Sequence, residues 1–78
     1  MGRSPVSPVL ATLAARLKAA REHKQLTLQE VYDFTGIHVG RLEANRANMT
    51  VLTLLNLCRF YGVQPADMVT GLEDIFES

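Results

Sequence analysis

The stretch Thr27-Leu28-Gln29-Glu30-Val31-Tyr32-Asp33-Phe34-Thr35-Gly36-Ile37-His38-Val39-Gly40-Arg41-Leu42-Glu43-Ala44-Asn45 decides how this chain is read. Thr27 with Glu30 three residues later is a capping box, which opens a helix at Leu28 and sets Leu28 and Val31 on a common face. That helix is short, because Gly36 follows only six residues after Glu30. Val39 and Leu42, three apart, read as the buried side of another short helix running to about Ala44. Asn45, which tolerates the left-handed conformation, is its stop.

Working outward, Ser7 and Pro8 suit the N-cap and first position of an earlier helix, so residues 1–7 read as a flexible arm. Leu10, Leu13, Ala14, Leu17 and Ala20 recur at helical spacing through about Lys24, and Arg16, Lys18 and Glu22 occupy the opposite face. Downstream, Arg46-Ala47-Asn48-Met49 reads as a loop and Thr50 as an N-cap. Val51, Leu54, Leu55, Leu57, Cys58 and Tyr61 give the next helix a broad apolar face, and Gly62 ends it. Gln64-Pro65 starts a fifth helix, with Asp67 in its first turn, Met68 and Val69 turned inward and Gly71 at its end. No period-two alternation of useful length occurs. The expected fold is therefore all-α: five helices joined by short loops over residues 8–70, followed by an acidic tail at 71–78 that carries the apolar stripe Leu72, Ile75 and Phe76.

Seventy-eight residues suffice for one domain with a single core and no large substrate cleft. An apolar fraction of 47% is too high for a disordered chain, and one cysteine cannot build a disulfide framework, so a reducing, cytoplasmic setting is expected. No apolar run approaches the roughly 18–20 residues that span a bilayer, and the Met-Gly-Arg-Ser-Pro opening lacks an apolar signal region. His23, His38 and Cys58 have no metal-ligand spacing, and no nucleophile elbow or phosphate-cradling glycine loop is present. Neither catalysis nor a cofactor or metal is expected.

The formal net charge is zero, from eight basic and eight acidic residues. It is unevenly distributed: residues 1–66 hold all eight basic and four acidic groups, a net of +4, whereas Asp67, Glu73, Asp74 and Glu77 make the end of the chain −4. A basic body keeps phosphate binding open where overall neutrality would argue against it.

Two short helices over residues 28–44, clasped between longer ones, are the arrangement of a helix-turn-helix DNA reader. The residues Leu17, Arg21, Leu26 to Val31, Arg41 to Arg46, Thr50, Leu54, Leu55, Leu57, Tyr61 to Val63 and Pro65 resemble the lambda-repressor-like family of xenobiotic-response-element type, over about residues 10–70. The resemblance implies a bacterial or phage transcriptional regulator. It also implies an ion pair between Arg21 and Glu43 that fixes the recognition helix. The chain departs from the family pattern by lacking about three residues between the capping threonine and the glutamate, and by carrying Tyr32 where the family prefers alanine.

The shortening leaves two registers. Counted back from Glu43, Thr35 caps the recognition helix and Gly36, Ile37 and His38 fall at its exposed start; alternatively Gly36 is the turn, Ile37 belongs to the core and His38 is the cap. In the first register, Ile37, His38, Arg41 and Ala44 face base edges, with Arg41 the expected guanine reader, worth about 1–3 kcal/mol of discrimination. Gly40 permits close approach to the groove or is simply tolerated there. Phosphate contacts are expected from Thr27 and Gln29, and from Arg46 and Asn48 in the following loop.

One recognition helix reads few base pairs, so a homodimer on a two-fold site is expected on double-stranded DNA. Leu72, Ile75 and Phe76, with Phe60 and Val63, form the expected dimer contact, unless the tail folds back on its own core. The alternative function is an antitoxin or other protein-binding helical module, whose main ligand is a partner protein.

Overall fold

A computed structural model describes residues 8–45 and 47–77, with Phe76 and Glu77 described by their backbone alone. The described residues form helices and connecting turns, with no strand. In order these are α1 (Pro8–His23), α2 (Leu28–Thr35), α3 (Val39–Glu43), α4 (Val51–Tyr61), α5 (Pro65–Val69) and α6 (Leu72–Glu77). The five expected helices are present, and the stretch read as an acidic tail adds the sixth. The Ser7 cap and the arm at residues 1–7 lie outside the described residues.

Local chemistry sets the helix ends. Thr27 accepts a hydrogen bond from the Glu30 N–H at 3.0 Å, and the Glu30 carboxylate accepts one from the Thr27 N–H at 2.8 Å, completing the capping box of α2. Thr50 caps α4 by accepting from the Thr53 N–H at 3.1 Å. Gly62 closes α4 with φ +74°, and the Val63 N–H returns to the Cys58 carbonyl. Asn45 takes φ +61° after α3, as its position suggested.

The core lies among α1, α2, α3, α4 and α6. Leu13, Leu17, Val31, Val39, Leu42, Leu57, Cys58, Tyr61 and Leu72 form one buried cluster. Val39 and Leu42 are thus the inward side of α3, as their spacing indicates. Helix α1 is the hub, packing on α3, α4, α5 and α6. Arg16 fastens the last part of the chain to it: one guanidinium nitrogen donates to the Met68 carbonyl at 3.0 Å and the Thr70 carbonyl at 2.7 Å. These are end carbonyls of α5, which have no partner within the helix, so a cation there is doubly favourable.

Several side chains sit otherwise than the periodicity suggests. Val51 and Leu55, expected on the inner face of α4, point outward, and Leu28 is exposed rather than sharing the burial of Val31. Val69 is also exposed, while Met68 packs against the core. Leu72 is buried in the chain's own core and Ile75 packs against it, which corrects their assignment to a dimer contact. Val63 and Phe60 likewise rest partly buried against the core. The Phe76 side chain lies outside those described.

Candidate nucleic-acid interface

The candidate site is the surface where α2 and α3 meet, and its geometry begins with the turn between them. Gly36 has φ +74° and its N–H reaches the Tyr32 carbonyl, so it terminates α2 in the left-handed conformation that glycine adopts without a Cβ penalty. Thr35 is the last residue of α2: its hydroxyl donates to the Val31 carbonyl at 2.7 Å and accepts from the Ile37 N–H at 3.0 Å. The register with Thr35 as cap of the recognition helix is therefore corrected. Ile37 turns inward and packs on the core, so it is not at an exposed helix start, and His38 occupies the N-cap position of α3. His38 caps no N–H with its side chain; its ring stacks on Tyr32, with centroids 4.4 Å apart.

Helix α3 is held from behind. The Arg21 guanidinium donates twice to the Glu43 carboxylate, Nε to Oε2 at 2.7 Å and Nη2 to Oε1 at 3.0 Å, and Nη1 donates to the Leu26 carbonyl at 2.7 Å. Arg21 is 9% exposed. The bidentate bond to Glu43 raises its pKa against the opposing effect of burial, so the cation is secured. This is the pair that the resemblance implied, and it ties α1 to the end of α3. A buried pair of this kind fixes orientation more than it adds stability.

With Val39 and Leu42 inside and Glu43 paired, α3 presents Gly40, Arg41 and the following Ala44 outward. An open cleft of about 400 Å³ lies beside them, lined by Leu28, Gln29, Tyr32, His38, Val39, Gly40 and Arg41. A Cβ placed on Gly40 would meet Leu28 Cδ1 at 3.5 Å, an ordinary contact, so the approach of α2 to α3 does not require glycine there. Arg41 also borders a second hollow with Ile37, His38, Leu42, Ala47 and Thr53. His38, Arg41 and Ala44 are thus brought together on one exposed surface, and Ile37 stands behind them.

The expected phosphate contacts are dispersed. Thr27 is engaged in the capping box, which sets a carboxylate at the start of α2. The Gln29 amide donates to Asp33 at 2.8 Å. Asn48 is exposed beyond α3, and Arg46 lies outside the described residues. The sequence reading missed Leu28 and Tyr32 as part of this surface. Their signal was present: two large apolar side chains four apart on a helix of eight residues, where Val31 alone is buried.

Elsewhere, Cys58 is buried within α4, which pushes its thiol pKa up. No group of three or more His, Cys, Asp or Glu side chains arranged to hold a metal occurs among the described residues, and none of their helices is long and apolar enough to cross a membrane. Comparison with protein-family models, curated proteins and solved structures finds no match to this chain.

Proposed function

We propose that the chain is a sequence-specific, double-stranded DNA-binding transcriptional regulator of lambda-repressor-like kind, acting as a homodimer, with α2 and α3 as its helix-turn-helix. The observation that carries the reading is the Arg21–Glu43 pair: it anchors the inner side of α3 while Arg41 and His38 remain exposed on the outer side. A reading helix needs such an anchor, since base-edge hydrogen bonds depend on placement within a fraction of an ångström.

Five residues of α3 rise only about 7.5 Å, too little to carry a row of base contacts alone. In this reading α2 shares the task. Arg41 donates to guanine O6 and N7, His38 and Ala44 sit alongside, and Leu28 and Tyr32 offer apolar contact to thymine methyl groups. Arg46 and Asn48 supply phosphate contacts from the loop after α3, and Gln29 from the start of α2. Selecting bound fragments from random DNA tests the proposal: recovery of two half-sites about one helical turn apart, each containing guanine, is expected. Recovery of no sequence preference would overturn it.

A partner-protein reading, with the chain acting as an antitoxin or similar module, draws support from the apolar residues exposed on α4 and the acidic Glu73 and Asp74 on α6. It separates from the first by predicting a chain whose Arg41→Ala variant keeps its full function.

A further inference from the structure

Helix α4 is apolar on two sides. Leu57, Cys58 and Tyr61 face the core, yet Val51 and Leu52 on the outer side are 72% and 70% exposed, and Leu55 between them is 45% exposed. These three lie at helical spacing on one outward surface that continues through Asn56 to Arg59. Phe34 of α2, 76% exposed, adjoins the same side: its ring contacts Phe60 at 5.9 Å, and a cleft joins it to Asn56 and Arg59.

We propose that Val51, Leu52 and Leu55, extended past Asn56 and Arg59 to Phe34, form the surface on which a second copy of this chain docks, the two α4 helices crossing antiparallel about a two-fold axis. This deepens the homodimer of the proposed function and rests on it for the number of copies.

Area is the first argument. At roughly 150–200 Å² for a free side chain of this size, the four residues expose on the order of 450 Å² of apolar surface. A standard interface covers about 800 Å² per partner, of which about 56–65% is non-polar, or about 450–520 Å². The patch thus matches the apolar part of one side of a stable dimer.

Charge is the second. Arg59 is the one charged residue along this outer surface of α4, so it offers no run of either sign to an oppositely charged partner. A neutral chain also meets no net repulsion from its own copy. With the crossing point between Leu52 and Leu55, each Arg59 lies about 8 Å along its helix from the axis, placing the two about 16 Å apart. That is roughly two Debye lengths at physiological salt, so the arginines do not oppose association. Leu72, now part of the core, does not compete for this role.

Sedimentation equilibrium of the full chain without DNA, across the micromolar range, tests the proposal. The unaltered chain is expected to dimerise. The double variant L52E/L55E is expected to raise the dimer dissociation constant roughly 100-fold or more, with helix content unchanged and with a melting temperature that matches the unaltered chain's only at dilutions where both are monomeric, since dimerisation itself stabilises the fold. Val69→Glu, an exposed apolar residue on α5, is expected to leave the constant unchanged. A monomer at every concentration would overturn the proposal, as would a dimer indifferent to L52E/L55E or equally weakened by Val69→Glu. Because no DNA is present, any of these outcomes leaves DNA reading by each chain to be judged by its own experiment.

Discussion

Arg16 and Arg21 stand five residues apart on α1 and hold two different parts of the molecule in two different ways. Arg21 meets a carboxylate at the end of α3, with both side chains about one-tenth exposed. Arg16 meets carbonyl oxygens at the end of α5, partly at the surface. The difference lies in what remains when one partner is removed. A buried ion is left without its counter-charge in the first case, whereas carbonyls that water re-solvates are left in the second. The junction that positions the candidate DNA surface is therefore the less forgiving of the two.

Breaking that junction is expected to have the largest effect. Glu43→Ala leaves Arg21 charged and nearly buried, and should cost about 3–5 kcal/mol of unfolding free energy in denaturant titrations. A loss below about 1 kcal/mol would show the pair to be incidental.

Next comes a change that spares both junctions. Arg41→Ala, two residues before Glu43, should leave stability within about 0.5 kcal/mol while weakening binding to the selected DNA by about 1–3 kcal/mol. Thermal melts alongside binding isotherms separate the two effects, and a comparable loss on unrelated sequence would argue against base reading.

Arg16→Ala sharpens the comparison from the other side. It removes two hydrogen bonds from a charged donor to carbonyls and should cost about 1–2 kcal/mol. Its signature is local: faster amide exchange in α5 and α6, with α3 unaffected.

The smallest effect concerns Tyr61, whose hydroxyl is buried without a hydrogen-bond partner among the described residues. Tyr61→Phe should be neutral or gain about 1 kcal/mol, since an unsatisfied polar group is removed. Burial, then the nearby Glu43, push the phenol from 10.0 up to about 12. Between those values the folded state binds more protons than the unfolded state, so stability is complete below about pH 10 and falls as pH rises toward about 12. The phenylalanine variant should lack that alkaline loss, which urea midpoints taken across the range would register.

The same contrast explains what could be read from the residues alone. Glu43 and Arg21 are charged side chains at positions a family pattern marks, so their pairing was legible. The carbonyl partners of Arg16 have no side-chain signature, and nothing in the sequence distinguished it from Lys18. Caps at Thr27, Thr50 and Gly62 depend on local chemistry and were read with little error in the helix ends. Helix α4 was different: Val51, Leu52, Leu54, Leu55, Leu57 and Cys58 surround most of its circumference, so periodicity could not say which face is inside. The α2–α3 turn was undecided for a related reason. Thr35 and His38 are both able to begin a helix, and it takes the left-handed Gly36 closing α2 and the inward packing of Ile37 to select between them. Leu72 and Ile75 showed an apolar stripe without showing whose core it would join.

The measurement that bears most directly on DNA reading is binding of the full chain to its selected fragment over a series of salt concentrations. The logarithm of the affinity is expected to fall linearly with the logarithm of salt, by about 0.9 for each phosphate neutralised, with Arg41→Ala removing the preference for the selected sequence. Absence of binding even at low salt, or an affinity that salt leaves unchanged, would contradict the DNA-reading function.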